Sequence, residues 1–239
     1  MGPDFSVVVP VFNEEGAVAP LAREIAAAFE GQAYEIIFVD DASRDGTGAA
    51  LLALKAELVA LRVIGHGRNA GQSRALRTGI LAARGAIVVT LDGDGQNDPA
   101  DAPPMARRLA AGPPGLGLIG GERVGRQDRL GKRVASRLAN AVRGALLGDQ
   151  ATDSGCGLKA MRREAYLRLP FFDHQHRFLP ALMIREGYAV AFEPVSHRAR
   201  RSGVSKYTNL GRLWDSIWDL TGVIWLRRRA RSPGEVNPL

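Results

Sequence analysis

The chain has 239 residues, 46% hydrophobic and 24% charged, which fits a folded domain with a sizeable core and excludes a disordered or fibrous polypeptide. Its single cysteine, Cys156, excludes an internal disulfide and suits a reducing compartment, and no apolar run is long enough to span a membrane. The 32 basic residues, only four of them lysine, exceed 25 acidic ones for a net charge of +7, a balance that suits either an anionic partner or arginine-rich coding.

In chain order, "FSVVVPVF" (5–12) reads as a strand, with no leader peptide before it, and residues 15–29 as a helix with Val18, Leu21, Ile25 and Phe29 on one stripe. "YEIIFV" (34–39) is a second strand ending in Asp40-Asp41. Ser43 and Gly46 mark a turn or cap before a helix that runs to Leu58. Residues 61–66 form a third strand, 71–84 a helix, 86–91 a fourth strand, 103–111 a helix and 116–121 a fifth strand. This alternation predicts a mainly parallel sheet covered by helices. Beyond it the spacing predicts helices over 128–147, 178–186 and 208–229, strands over 156–161 and 188–193, a basic loop over 198–207 and a loose tail from 232.

In open α/β sheets ligands bind at the carboxyl ends of the strands. Three polar sites fall at such ends: Asn13-Glu14-Glu15, Asp40-Asp41 and "LDGDGQND" (91–98). A hard divalent cation, Mg²⁺ or Mn²⁺, is the simplest guest for Asp92 and Asp94, with Gln96 able to add a carbonyl oxygen and Gly93 and Gly95 letting the backbone bend close. A solvated acidic turn is the plain alternative for such a motif taken alone. An EF-hand is excluded because a strand, not a helix, precedes the loop; the glycine fingerprint of a dinucleotide site and a Walker loop are also missing. Asp98, before Pro99, reads as a turn or helix-start residue.

The segments "VVVPVFNEEG", "FVDDASRDGT", "GRNAGQSRALRTGILAARG", "VVTLDGDGQNDP", "DSGCGLKAMRR" and "RRSGVSKYTNLGRLWD" occur in this order between residues 5 and 228. Together they resemble the family 2 glycosyltransferases, in particular the dolichyl-phosphate mannose synthase-like branch of polyprenyl-phosphate glycosyltransferases. The resemblance implies a GT-A nucleotide-diphospho-sugar transferase fold, a Rossmann-like α/β architecture. Residues 1–207 would then be the catalytic domain and 208–231 an amphipathic helix. It further implies that Pro10, Phe12, Asn13 and Glu14 hold the nucleotide and that Val39, Asp40 and Asp41 read its base and ribose. Asp92 and Asp94 would be the DXD motif that chelates the metal on the donor diphosphate, with Gln96 as third ligand. Arg123, Lys132 and Ser136 match the clamp for the acceptor phosphate, and Arg200 and Lys206 a loop that closes on both substrates. Gly95 and Glu122 depart mildly from the family pattern, and neither removes a ligand.

The implied reaction is inverting transfer of a sugar from a nucleotide-diphospho-sugar to a polyprenyl (undecaprenyl or dolichyl) phosphate. A phosphate monoester carries roughly −1.5 to −2 charge near neutral pH, so it needs no strong base. The work is to bring two anions together and stabilise the leaving diphosphate. Asp153 would then either act as a base near the acceptor or orient a basic residue, His174 and His176 read as loop residues, and Cys156 as a packing residue. In the last helix, Leu210, Leu213, Trp214, Ile217, Trp218, Thr221, Ile224 and Trp225 form a stripe followed by Arg227–Arg229, which suits peripheral attachment to the cytoplasmic face of a membrane. Packing on its own domain, on a membrane-protein partner or on a second copy of the chain is the other way to cover that stripe. The donor stays open between GDP-mannose and a UDP-sugar. Two other functions remain in play: a family 2 enzyme with a soluble or cell-envelope saccharide acceptor, although no "QXXRW" motif is found, and a non-catalytic nucleotide-sugar-binding scaffold. Nucleic acid is not expected, for want of an interleaved aromatic and basic surface.

Overall fold

A computed structural model describes residues 2–124, 143–144, 146–198 and 209–230, the side chains of 209–216 apart. The first half follows the predicted alternation: β1 (Phe5–Val11), α1 (Glu15–Ala28), β2 (Tyr34–Asp40), α2 (Thr47–Leu54), β3 (Leu61–Gly65), α3 (Gln72–Ala82), β4 (Ile87–Thr90), a 3₁₀ turn (Pro99–Asp101), α4 (Ala102–Ala111) and β5 (Leu116–Arg123). Then come β6 (Lys159–Arg162), α5 (Arg163–Arg168), α6 (Leu179–Arg185), β7 (Ala189–Val195) and α7 (Asn209–Arg229).

The strands form one sheet in the order β3-β2-β1-β4-β6-β5-β7. β1 pairs in parallel with β2 and β4, β2 with β3, and β5 with β7, whereas β6 is antiparallel to both neighbours. Every described strand except β6 therefore points the same way. One edge of the sheet collects the carboxyl ends of the others together with the amino end of β6.

Period-two alternation divides the core between the two faces. Val7, Val9 and Val11 of β1 and Ile36 and Phe38 of β2 pack with α1, α2 and α4. Val8, Ile37 and Val39 pack on the other face with α3, α5 and α6. Arg162, the last residue of β6, and Arg163 beside it each satisfy helix-end carbonyls. Arg162 donates to the carbonyls of Leu109, Gly112 and Leu116, and Arg163 to those of Ile80 and Leu81.

Two boundaries and two elements differ from expectation. α2 stops at Leu54 because Lys55, Ala56 and Glu57 donate to carbonyls three residues back, which tightens the chain out of the α-helix. β6 starts at Lys159, because Cys156–Leu158 turn beneath the fourth strand, where Gly157 accepts from Thr90 Oγ1 at 2.7 Å. α5 and the 3₁₀ turn Gln175–Arg177 are unpredicted. The stripe on α7 is also divided. Val223 is buried and Leu220 and Ile224 pack on the core, while Ile217, Trp218 and Trp225 face outward.

Candidate active site

β4 delivers the "DGDGQND" turn to the carboxyl edge, and the turn is held from several sides. The N–H of Asp92 donates to Oδ1 of Asn97 (3.2 Å), and the N–H of Gln96 donates to Oδ1 of Asp94 (3.1 Å). The two glycines serve different ends. At Gly93 a Cβ would come within 2.8 Å of the Pro10 carbonyl oxygen, so the turn lies directly on the end of β1. Gly95 has φ +73°, the left-handed region that favours glycine. Asp98 caps the 3₁₀ turn as expected, accepting from the N–H of Ala100 at 3.0 Å.

The segment after β7 closes the outer side. Asn97 bridges to His197, the N–H of Arg198 donates to Gln96 O (2.9 Å), and the Arg198 guanidinium spans Asp98 (2.6 Å) and Glu24 (2.5 Å). The root of the predicted basic loop is thus seated on the acidic turn.

Asp92 sits at the centre of the site. Gln72 Nε2, at the start of α3, donates to its Oδ1 at 2.8 Å. Gly157 forms its wall so closely that a Cβ there would lie 2.3 Å from the Asp92 carboxyl carbon. Burial, and then the charge of Asp94, push the Asp92 carboxyl up from 3.8 to about 6, against the pull of Lys159, Arg123 and Gln72. Lys159 is itself 5% exposed and donates to the carbonyl of Cys156; burial holds its ammonium below the usual lysine range.

Two carboxylates in one turn, the charge of Asp94 raising the pKa of Asp92, with the carboxamide of Gln96 in the same turn, are the donor chemistry of a hard divalent cation. Among the described residues no three His, Cys, Asp or Glu side chains converge on one point. Two carboxylates and an amide in one turn fit an ion that shares its shell with phosphate and water.

Across β6 stands Arg123, the last residue of β5. Its Nε and Nη2 grip Oδ2 and Oδ1 of Asp153 at 2.7 Å each, a bidentate pair with the side chains 15% and 10% exposed. Burial works against the guanidinium's charge, but Asp153 outweighs it and raises the pKa above its ordinary value.

On the other flank lie the residues expected to meet the nucleotide. Pro10 and Val39 are buried strand residues. Asn13 has φ +53°, accepts from the N–H of Arg44 (2.7 Å) and donates its own N–H to Ser43 Oγ (2.9 Å). The N–H of Glu14 donates to Thr47 Oγ1. Asp40 accepts from the N–H of Ser43, which makes Ser43 part of a turn and not the helix cap. Asp41 is turned onto the chain: it accepts from the N–H groups of Ala70 and Gly71 and pairs with His66 Nδ1 at 2.7 Å. A shallow cleft of about 510 Å³, lined by His66, Arg68, Ala70 and Arg74, opens beside it.

The structure thus brings Asp92, Asp94, Gln96 and Arg123 to one edge with Asn13, Glu14, Asp40 and Asp41. Lys132, Ser136, Arg200 and Lys206, and the side chains of Leu210, Leu213 and Trp214, lie outside the described residues, as do most of the predicted 128–147 helix and the 232–239 tail. Gln72, Asn97 and Lys159 went unread as site residues. The only sequence signal was for Asn97, a second carboxamide beside Gln96. His174 precedes and His176 lies within a short 3₁₀ turn, one paired with Asp219 and the other with Ser73.

The family model for glycosyl transferase family 2 matches residues 6–169, and the chain belongs to that family. It is 38% identical over 237 residues to a dodecaprenyl-phosphate galacturonate synthase from Rhizobium johnstonii, covering 97% of this chain and 69% of that protein. It is 37% identical over 219 residues to an undecaprenyl-phosphate 4-deoxy-4-formamido-L-arabinose transferase from Pseudomonas aeruginosa, covering 90% of this chain and 63% of that one. The name of each relative pairs a polyprenyl phosphate with a sugar. Among solved structures, glucosyl-3-phosphoglycerate synthase from Mycobacterium tuberculosis with Mn²⁺, UDP-glucose and phosphoglyceric acid superposes with a TM-score of 0.72 at 23% identity, over 98% of this chain and 82% of that one. The mannosyltransferase PcManGT from Pyrobaculum calidifontis with GDP-mannose and Mn²⁺ does so at 0.69 and 21%, over 98% and 66%. These likenesses show the GT-A fold.

Proposed function

We propose that this chain transfers a sugar, with inversion, from a nucleoside-diphosphate donor to a polyprenyl phosphate. One observation carries the reading: the paired carboxylates Asp92 and Asp94, the first pushed up to about 6, stand on the same sheet edge as a braced cation, Arg123. The first suits a metal-bound diphosphate and the second an acceptor phosphate. The names of the two relatives, each a polyprenyl-phosphate sugar transferase, support the substrate class.

Asp92, Asp94 and Gln96 would hold Mg²⁺ or Mn²⁺, which when bound offsets the charge of the donor diphosphate. Pro10, Phe12, Asn13, Glu14, Val39, Asp40 and Asp41 cradle the nucleotide, the bonds of Asn13 and Glu14 to Arg44 and Thr47 fixing the loop after β1 against the start of α2. Arg123, with Lys132 and Ser136, receives the acceptor phosphate, and Arg200 and Lys206 close over both substrates. The acceptor oxygen is already anionic, so rate comes from alignment and fixed charge rather than from proton removal.

The acceptor lies at a membrane, and α7 offers the surface to reach it. Trp218 and Trp225 are 63% and 59% exposed, and Arg228 and Arg229 are exposed beyond them, Arg229 lying over the Trp225 ring. No helix among the described residues is long and apolar enough to cross a bilayer. Attachment would be peripheral and cytoplasmic. Replacing both tryptophans by serine is expected to weaken binding to anionic liposomes by roughly tenfold, at about 1 kcal/mol or less per side chain, without moving the melting temperature. Unchanged co-sedimentation would remove α7 from this role.

The activity itself is tested by incubating the chain with undecaprenyl phosphate, Mg²⁺ or Mn²⁺ and a panel of UDP- and GDP-sugars, and following glycolipid by mass spectrometry. Product on a soluble saccharide alone, or on nothing, refutes the reading.

A further inference from the structure

We propose that Asp153 is a positioning residue, which aims the Arg123 guanidinium at the acceptor phosphate and does not itself take up a proton during transfer. The proposal rests on the reading above.

From the sequence, an acid in "TDSGCG" had two readings, base or brace, and the geometry favours the second. Both carboxylate oxygens of Asp153 are directed into the guanidinium fork, at 2.7 Å to Nε and 2.7 Å to Nη2, and the backbone N–H of Arg123 reaches Oδ2 at 3.3 Å. Taking up a proton would break the pair that holds Arg123 in place. The Nη1 group of Arg123 makes no hydrogen bond among the described residues, which leaves the outer side of the fork for a phosphate oxygen.

The brace is rigid because its loop is. The N–H of Cys156 donates back to the Asp153 carbonyl (3.2 Å), Lys159 Nζ reaches the carbonyl of Cys156, and Thr90 Oγ1 fastens Gly157 at 2.7 Å. Gly155 lies under the guanidinium, where a Cβ would stand 3.3 Å from Nη2, and Gly157 walls Asp92. One short segment therefore touches the acceptor-side cation at one end and the donor-side carboxylate at the other. It sets their spacing before either substrate arrives, which is where positioning lowers a barrier between two anions.

The test uses the full chain, undecaprenyl phosphate and the donor found active with the wild type. Absence of wild-type transfer to any polyprenyl phosphate overturns the parent reading, independently of Asp153. Given wild-type turnover, Asp153→Asn is expected to raise KM for undecaprenyl phosphate by roughly tenfold or more, with kcat, donor KM and the pH profile within about threefold of wild type. Binding of Mn²⁺ alone, followed by electron paramagnetic resonance, should be unchanged. Arg123→Gln should raise the same KM, and adding Asp153→Asn to it should cost no more than about twofold further, since the two side chains act as one unit. A kcat loss of more than about a hundredfold with acceptor KM intact, together with loss of one limb of the pH profile, would identify a base and overturn the proposal. So would a full Asp153→Asn effect on the Arg123→Gln background, or an equal change in every parameter, the mark of a merely structural pair. If Asp153→Asn does not fold, the same KM-against-kcat split is read on Asp153→Glu.

Discussion

A buried and a half-buried carboxylate on this sheet meet opposite fates. Glu35, near the amino ends of β1 and β2, is 5% exposed and accepts from Ser6 Oγ (2.7 Å), Arg62 Nη1 (2.6 Å) and the N–H of Arg84 (2.6 Å). Burial alone would raise its pKa, but those three donors and the Arg62 charge outweigh it and hold the carboxyl below the ordinary range. Asp92, at the carboxyl edge, has the Gln72 amide on its carboxylate and the charge of Asp94 beside it, and is pushed up to about 6. The fold completes its polar chemistry at one edge and crowds like charges at the other. The first edge contributes stability, and the second is where an ionic guest gains most.

The sharpest way to break this comparison is Asp94→Ala. It should lower transfer by roughly 10³-fold and abolish metal-dependent donor binding while leaving the melting temperature within a few degrees. Wild-type turnover, or wild-type activity in excess chelator, would show that the carboxylate pair has no catalytic use. Glu35→Gln should do the reverse, costing about 3 kcal/mol in urea unfolding because Arg62 is left without its partner, with turnover per folded molecule unchanged.

A smaller effect separates the two by pH. The Glu35 contribution is present above its unfolded value near 4.5 and is lost as pH falls through its lower folded value. The Asp92 contribution in the metal-free chain is present below 3.8 and is lost as pH rises through about 6. Melting curves of wild type against Glu35→Gln and Asp92→Asn should therefore diverge in opposite directions across this range. Over the same range protons compete with metal at Asp92, so Mn²⁺ affinity should fall by up to about tenfold per pH unit below pH 6. A flat profile would mean that Asp92 is not a ligand.

Much of this was legible in the chain. The strand-helix alternation, the three polar sites at strand ends and the capping role of Asp98 all depend on neighbours in sequence. Contacts that cross the sheet were not legible. β6 enters between β4 and β5 against their direction, and only that insertion puts Gly157 and Lys159 beside Asp92 and Asp153 against Arg123. Period-two patterning carries no mark of strand direction or order. The split face of α7 was hidden for a related reason. An apolar stripe on a helix does not say which of its members will find a core, and here Val223, absent from the predicted stripe, is buried, with Ile224 of the stripe packed on the same core.

Arg162 gives the sheet a mechanical property. It binds the Leu116 carbonyl at the first residue of β5, while Asp153 binds Arg123 at the last. The strand is pegged at both ends like a tuned string, and the height of Arg123 above the sheet is set by two anchors. A slackened peg at the far end would detune the active site without touching it.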